Sequence, residues 1–233
     1  MQQTREHTLK AFDEDLDRLR ALIAQMGGLA EHAIGEAMRC LVQRDVDGAM
    51  AIVRDDVKLD KLEIEAERRV VQLIALRAPM AGDLREAVAA LKISGVVERI
   101  GDYAKNIARR VPLLEDSSQL EPLSLLPEMA RIATQMVHDV LDAFVRRDAE
   151  AAVRVVERDQ AVDDFYDSIF RTLLTFMMEK PQTIGQSAHL LFVAKNLERV
   201  GDHATNIAEM VYFAATGQHL ADRPRGHSPL DVQ

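Results

Sequence analysis

Pairs of carboxylates four residues apart occur at four matching places in the chain: Asp56 with Asp60, Glu98 with Asp102, Asp159 with Asp163, and Glu198 with Asp202. Four residues is about one helical turn, so a helix would present both acids of each pair on one face. Two such pairs on neighbouring helices would bring four anionic groups together. Like charges gathered that closely either protonate or take up a cation. An all-oxygen donor set suits Mg²⁺, Mn²⁺, Ca²⁺ or iron better than zinc or copper. Asn106 and Asn206 extend two of the stripes by one more turn, where each offers a carbonyl oxygen to a metal or an amide that steadies a carboxylate. These eight acids are the expected metal residues, with the two asparagines in support.

The pairs belong to a duplication. Glu98 to Ala108 reads Glu-Arg-Ile-Gly-Asp-Tyr-Ala-Lys-Asn-Ile-Ala, and Glu198 to Ala208 reads Glu-Arg-Val-Gly-Asp-His-Ala-Thr-Asn-Ile-Ala, eight of eleven positions being identical. Arg44-Asp45 and Arg147-Asp148 match as the end of one helix and the Asp cap of the next. Pro79 and Pro181 match as a second corner. The chain therefore reads as all-α, a tandem duplication of an antiparallel three-helix bundle. Its six helices are expected at about 5–43, 46–77, 82–112, 124–146, 149–179 and 185–216. The first repeat spans 1–112, a linker 113–123, the second repeat 124–216 and a mobile tail 217–233.

Apolar residues step by three and four, as Val97, Ile100, Ala104, Ile107 and Val111 and as Leu197, Val200, Ala204, Ile207 and Val211, which marks a core stripe in each repeat. On a helical wheel Glu98, Asp102 and Asn106 fall on the polar side, whereas Asp56 and Asp60 fall nearer the core edge. A metal held there would sit in an open surface groove. Buried di-iron centres of helical bundles also use Glu-x-x-His pairs, and the sequence has none. Gly101 and Gly201 each cost a helix about 1 kcal/mol relative to alanine, which a closely approaching neighbour helix would explain. Arg99 and Arg199 are expected to offset the adjacent acids, and His203, in the place of Tyr103, to pack or to meet an interface.

Composition excludes several classes. The net charge is −9, and the chain has no Trp, three Tyr and seven Phe, so it offers neither a basic face for phosphates nor many platforms for bases; nucleic acid is not an expected partner. Cys40 is the only cysteine, which fits a reducing cytosol and a packing role. The polar amino terminus does not open like a signal peptide, and no run approaches the roughly 18 apolar residues of a membrane span, so direct membrane insertion is not expected.

The doubled phrase, extended to Val-Glu-Arg-Ile-Gly-Asp and Leu-Glu-Arg-Val-Gly-Asp, together with the four paired carboxylates, resembles the signature of the PhoU family of bacterial phosphate-homeostasis regulators. The resemblance covers about residues 5–216. It implies a cytoplasmic, usually dimeric adaptor without enzymatic activity, a negative regulator of the phosphate (Pho) regulon. Its implied partners are the ATPase subunit of the Pst phosphate ABC transporter and the sensor kinase PhoR. It also implies iron, manganese or magnesium clusters at the carboxylate motifs. The alternative reading is a metal-dependent oxidase or phosphohydrolase, for which the sequence nominates no general base or nucleophile.

Overall fold

The computed structural model describes residues 2–114 and 121–220, with the side chains of residues 12–114 and 123–220. Among these, every regular element is helical. They are α1 (Gln2–Gln43), α2 (Val46–Asp55), α3 (Val57–Arg77), α4 (Gly82–Ala108), α5 (Leu126–Arg146), α6 (Ala149–Glu179) and α7 (Ile184–Thr216), with 3₁₀ turns at Val111–Leu114, Glu121–Leu125 and Pro181–Thr183. Residues 115–120 of the expected linker and 221–233 of the expected tail lie outside the described residues.

The helix boundaries follow local chemistry. Arg44 and Arg147 end α1 and α5 in the left-handed region, at φ 58° and 55°. Asp45 and Asp148 then accept hydrogen bonds from the Gly48 and Ala151 backbone N–H groups, both at 2.9 Å, capping α2 and α6. Gly217, at φ 75°, closes α7. The sequence predicts one helix over 46–77, whereas the structure tightens at Asp56, where Leu59 N–H bonds the Asp56 carbonyl at 2.8 Å in a three-residue closure. The matching helix α6 runs unbroken through Asp159.

Helix α1 buries Leu16, Leu19, Ile23, Met26, Ala30, Ile34, Ala37 and Leu41, all at steps of three or four residues. Each large side chain among them contributes about 1.5–3 kcal/mol by leaving water. α1 packs on α5 and α4 on α7, so these four helices form the middle of the molecule; α2–α3 flank α1 and α4, and α6 flanks α5 and α7. One hydrophobic cluster runs through both repeats. It is locked at one end by Glu86 of α4, buried, which accepts from Arg20 Nε of α1 at 2.7 Å and pairs with Arg147 Nη2, just past α5, at 2.5 Å. Cys40 is fully buried, as a packing residue should be.

α4 and α7 run antiparallel: Tyr103 meets His203, and Arg110 meets His189. Tyr103 and His203 hold equivalent places in the two repeats and touch edge to face, ring centroids 5.2 Å apart. Equivalent residues touch only near the axis that exchanges the repeats, so this pair marks the molecular pseudo-dyad. The two carboxylate clusters lie on either side of it.

Candidate functional site

Each cluster forms where an outer helix crosses an inner one, and a glycine sets the depth of the crossing. A Cβ on Gly101 would lie 2.3 Å from Leu59 Cδ2 of α3, and one on Gly201 would lie 3.2 Å from Asp159 Oδ1 and 3.3 Å from Val162 Cγ1 of α6. All three distances are inside ordinary contact, so a side chain at either place would force Leu59, or Asp159 and Val162, to give way. The close approach expected from the two glycines is present. It brings Asp56 and Asp60 to Glu98 and Asp102, and Asp159 and Asp163 to Glu198 and Asp202.

In the first groove the inner position is filled by a cation of the chain itself. Lys105 Nζ donates to Asp102 Oδ1 at 2.6 Å and to the Asp56 carboxylate, whose side chain is 10 % exposed. Burial alone would lower the Lys105 ammonium, but its bonds to Asp102 and Asp56 outweigh that and hold it above the usual lysine range. Glu98 lies one turn before Asp102. Burial, and then the neighbouring charges of Asp102, Asp60, Asp56 and Glu63, push its carboxyl above the usual range. Lys105 and Glu63 were not among the expected site residues. The visible signal for Lys105 is the one charged difference between the two phrases, Lys105 against Thr205, three residues past the acid.

The second groove is built differently. Thr205, in the place of Lys105, donates to the backbone carbonyl of Asp202 at 2.7 Å, so no side-chain cation extends from this position. Lys195 stands where the first repeat has Gly95; its Nζ donates to Glu198 Oε1 at 2.6 Å and lies 5.1 Å from the Tyr166 ring centre. Glu198 Oε2 is buried without a hydrogen-bond partner. Burial pushes the Glu198 carboxyl up; Lys195 opposes this, and Asp202 and Asp163 add to it. Asp159 is buried against α7, while Asp202 is exposed.

As cation sites the grooves are therefore unequal. Among the described residues no three Asp, Glu, His or Cys side chains converge closely enough to hold a metal ion as they stand. The first groove does not fit a further cation at its inner position, because Lys105 occupies it. In the second, the buried Glu198 Oε2 lacks a partner, which costs about 1–3 kcal/mol, and the charges of Asp202 and Asp163 act on it, carboxylates of the kind that suit a hard divalent ion. The side chains of Asn106 and Asn206 form no hydrogen bond among the described residues. Arg99 and Arg199 form no ion pair there either. Arg199 instead lies 6.0 Å from the Tyr103 ring centre, and burial holds the His203 imidazole below its usual range, against the opposing bond to the Arg199 carbonyl and the charge of Asp202. His203 Nδ1 donates to the Arg199 carbonyl at 2.9 Å, a packing role in accord with expectation. An open groove of about 560 Å³ between α1 and α5, lined by Ile34, Met38, Val42 and Ala130 among others, shares no residue with either cluster.

Comparison with known proteins places this architecture. The PhoU domain model matches residues 23–111 and again 126–211, one match in each repeat. The phosphate-specific transport system accessory protein PhoU homolog of Zymomonas mobilis is 54% identical over 224 residues, covering 96% of this chain and 94% of the relative. The protein of the same name in Caulobacter vibrioides is 48% identical over 229 residues, covering 97% and 98%. The crystal structure of PhoU from Pseudomonas aeruginosa superposes with a TM-score of 0.84 at 34% identity, over 89% of this chain and 100% of that one. A PhoU crystal structure from Streptococcus pneumoniae superposes with the same TM-score at 25% identity, over 90% and 99%. With a family match in each repeat, relatives alike over nearly their whole lengths and the same fold, this chain belongs to the PhoU family.

Proposed function

We propose that this chain is a non-enzymatic cytoplasmic regulator of phosphate uptake, acting as a homodimer. It represses the Pho regulon when phosphate is plentiful by linking the ATPase subunit of the Pst phosphate transporter to the sensor kinase PhoR. The observation that carries this reading is identity of 54% over 96% of the chain to a relative named for the phosphate-specific transport system. No helix among the described residues is long and apolar enough to cross a membrane, in keeping with a protein that reaches the transporter by docking. The acidic grooves supply charged docking surfaces. In the second groove Glu198, Asp202, Asp159 and Asp163 hold a divalent cation, manganese, magnesium or iron, which neutralises the cluster and stiffens the crossing of α6 on α7.

The test is complementation. The chain is expressed in a bacterium that lacks its own PhoU and carries a reporter driven by a phosphate-starvation promoter. Restored repression in high phosphate supports the reading. A reporter that stays fully on, with the chain present at normal level on an immunoblot, refutes it.

A further inference from the structure

We infer that Lys105 is a tethered counter-ion that takes the place of a divalent cation in the first groove, so that the two repeats of this chain, alike in their acids, differ in what neutralises them. The inference deepens the cation reading of the grooves and rests on it for the contrast with the second groove, but its core concerns this chain's own ammonium group. Asp56 caps α3 and Asp102 lies on α4, and Lys105 Nζ joins their carboxylates, bonded to both. The lysine side chain is 19 % exposed and the Asp56 side chain 10 %, so the ion pair is largely out of water. Asp102 is 41% exposed, so without the lysine it is chiefly the buried Asp56 carboxylate that would lose its counter-charge, beside a second acid that repels it.

The position is specific to one repeat. The equivalent residue Thr205 turns its hydroxyl to the α7 backbone, and the second groove's own lysine, Lys195, bonds Glu198 of its own helix and meets α6 at the Tyr166 ring. The first crossing is thus neutralised at its inner position whenever the chain folds, independent of metal supply. In the second, the cation the chain supplies is Lys195, bonded to Glu198. A change at Lys105 would leave the Asp56–Asp102 pair to a cation from solution.

Thermal unfolding of the full chain tests this with Mn²⁺ as the probe. In EDTA, Lys105→Thr is expected to lower Tm by roughly 5 °C or more, as loss of the cation bonded to the buried Asp56 should. Added Mn²⁺ should restore most of that loss, and Lys105→Arg, which keeps the charge, should lose less than half as much. An unaltered Tm for Lys105→Thr in EDTA would overturn the counter-ion. A loss that Mn²⁺ does not recover, or recovery that persists after Asp102→Asn is added, would overturn the stand-in for a divalent ion. The cation reading of the second groove is scored separately, from the Mn²⁺ response of Glu198→Gln with Asp202→Asn; its failure leaves the Lys105 result readable.

Discussion

Replacing Gly101 by alanine probes the crossing that assembles the first groove. The added methyl would sit 2.3 Å from Leu59 Cδ2, where carbon atoms normally rest about 3.5–4.0 Å apart. Leu59 is 5% exposed and packed in the core, so its Cδ2 moves only by leaving its rotamer or by shifting α3 outward. Overpacking of this kind costs about 1–3 kcal/mol. Alanine in place of glycine in a helix interior returns about 1 kcal/mol. The net expectation for Gly101→Ala is a loss of about 1 kcal/mol by urea denaturation. Gly28→Ala on α1, where a Cβ meets nothing within 4 Å, should instead gain about 1 kcal/mol. The decisive measurement is a double-mutant cycle. Leu59→Ala alone should lose about 2–5 kcal/mol through its cavity. Combined with Gly101→Ala, the new methyl fills part of that cavity and the clash is gone, so the pair should fall short of the sum by about 1–3 kcal/mol. Additive effects, or a Gly101→Ala protein as stable as Gly28→Ala, would refute the argument that this glycine exists for the approach of α3.

Three other outcomes are expected. Glu86→Ala should lose about 3 kcal/mol, the lower end of the range for breaking a buried pair because Arg147 is half exposed, and calorimetry should show Tm falling by roughly 6–12 °C. Asp148→Ala should lose about 1 kcal/mol with its bond to the Ala151 N–H, while Asp148→Asn should lose a few tenths at most in the same urea assay. Burial, and then the nearby Arg110, hold the His189 imidazole below its ordinary 6.5, and the Arg110 bond to Nδ1 requires the neutral ring. A base with a depressed folded value contributes stability that is complete above pH 6.5 and fades as pH falls through the folded value. His189→Gln should therefore lose less stability than the parent between pH 7.5 and 5; equal slopes would reject this assignment.

Much of this protein was decided locally and so was legible in the chain. The three- and four-residue apolar steps set α4 and α7, and Asp45, Asp148 and Gly217 mark helix ends by bonds or backbone angles that involve only near neighbours. The four acid pairs and their duplication were visible for the same reason, since a helical face is a matter of spacing alone. The tightening at Asp56 was not visible, because it accompanies a side chain drawn toward Lys105, a residue forty-nine positions away. Likewise the acids themselves look the same in both repeats, and their difference arises across the helix crossings. There Lys105 bridges α3 and α4, whereas Lys195 turns to Glu198 and Tyr166 and leaves Glu198 Oε2 buried without a partner. Spacing along a helix told which acids share a face; which cation meets them depended on how two helices cross, because Coulomb attraction acts through space and not along the chain.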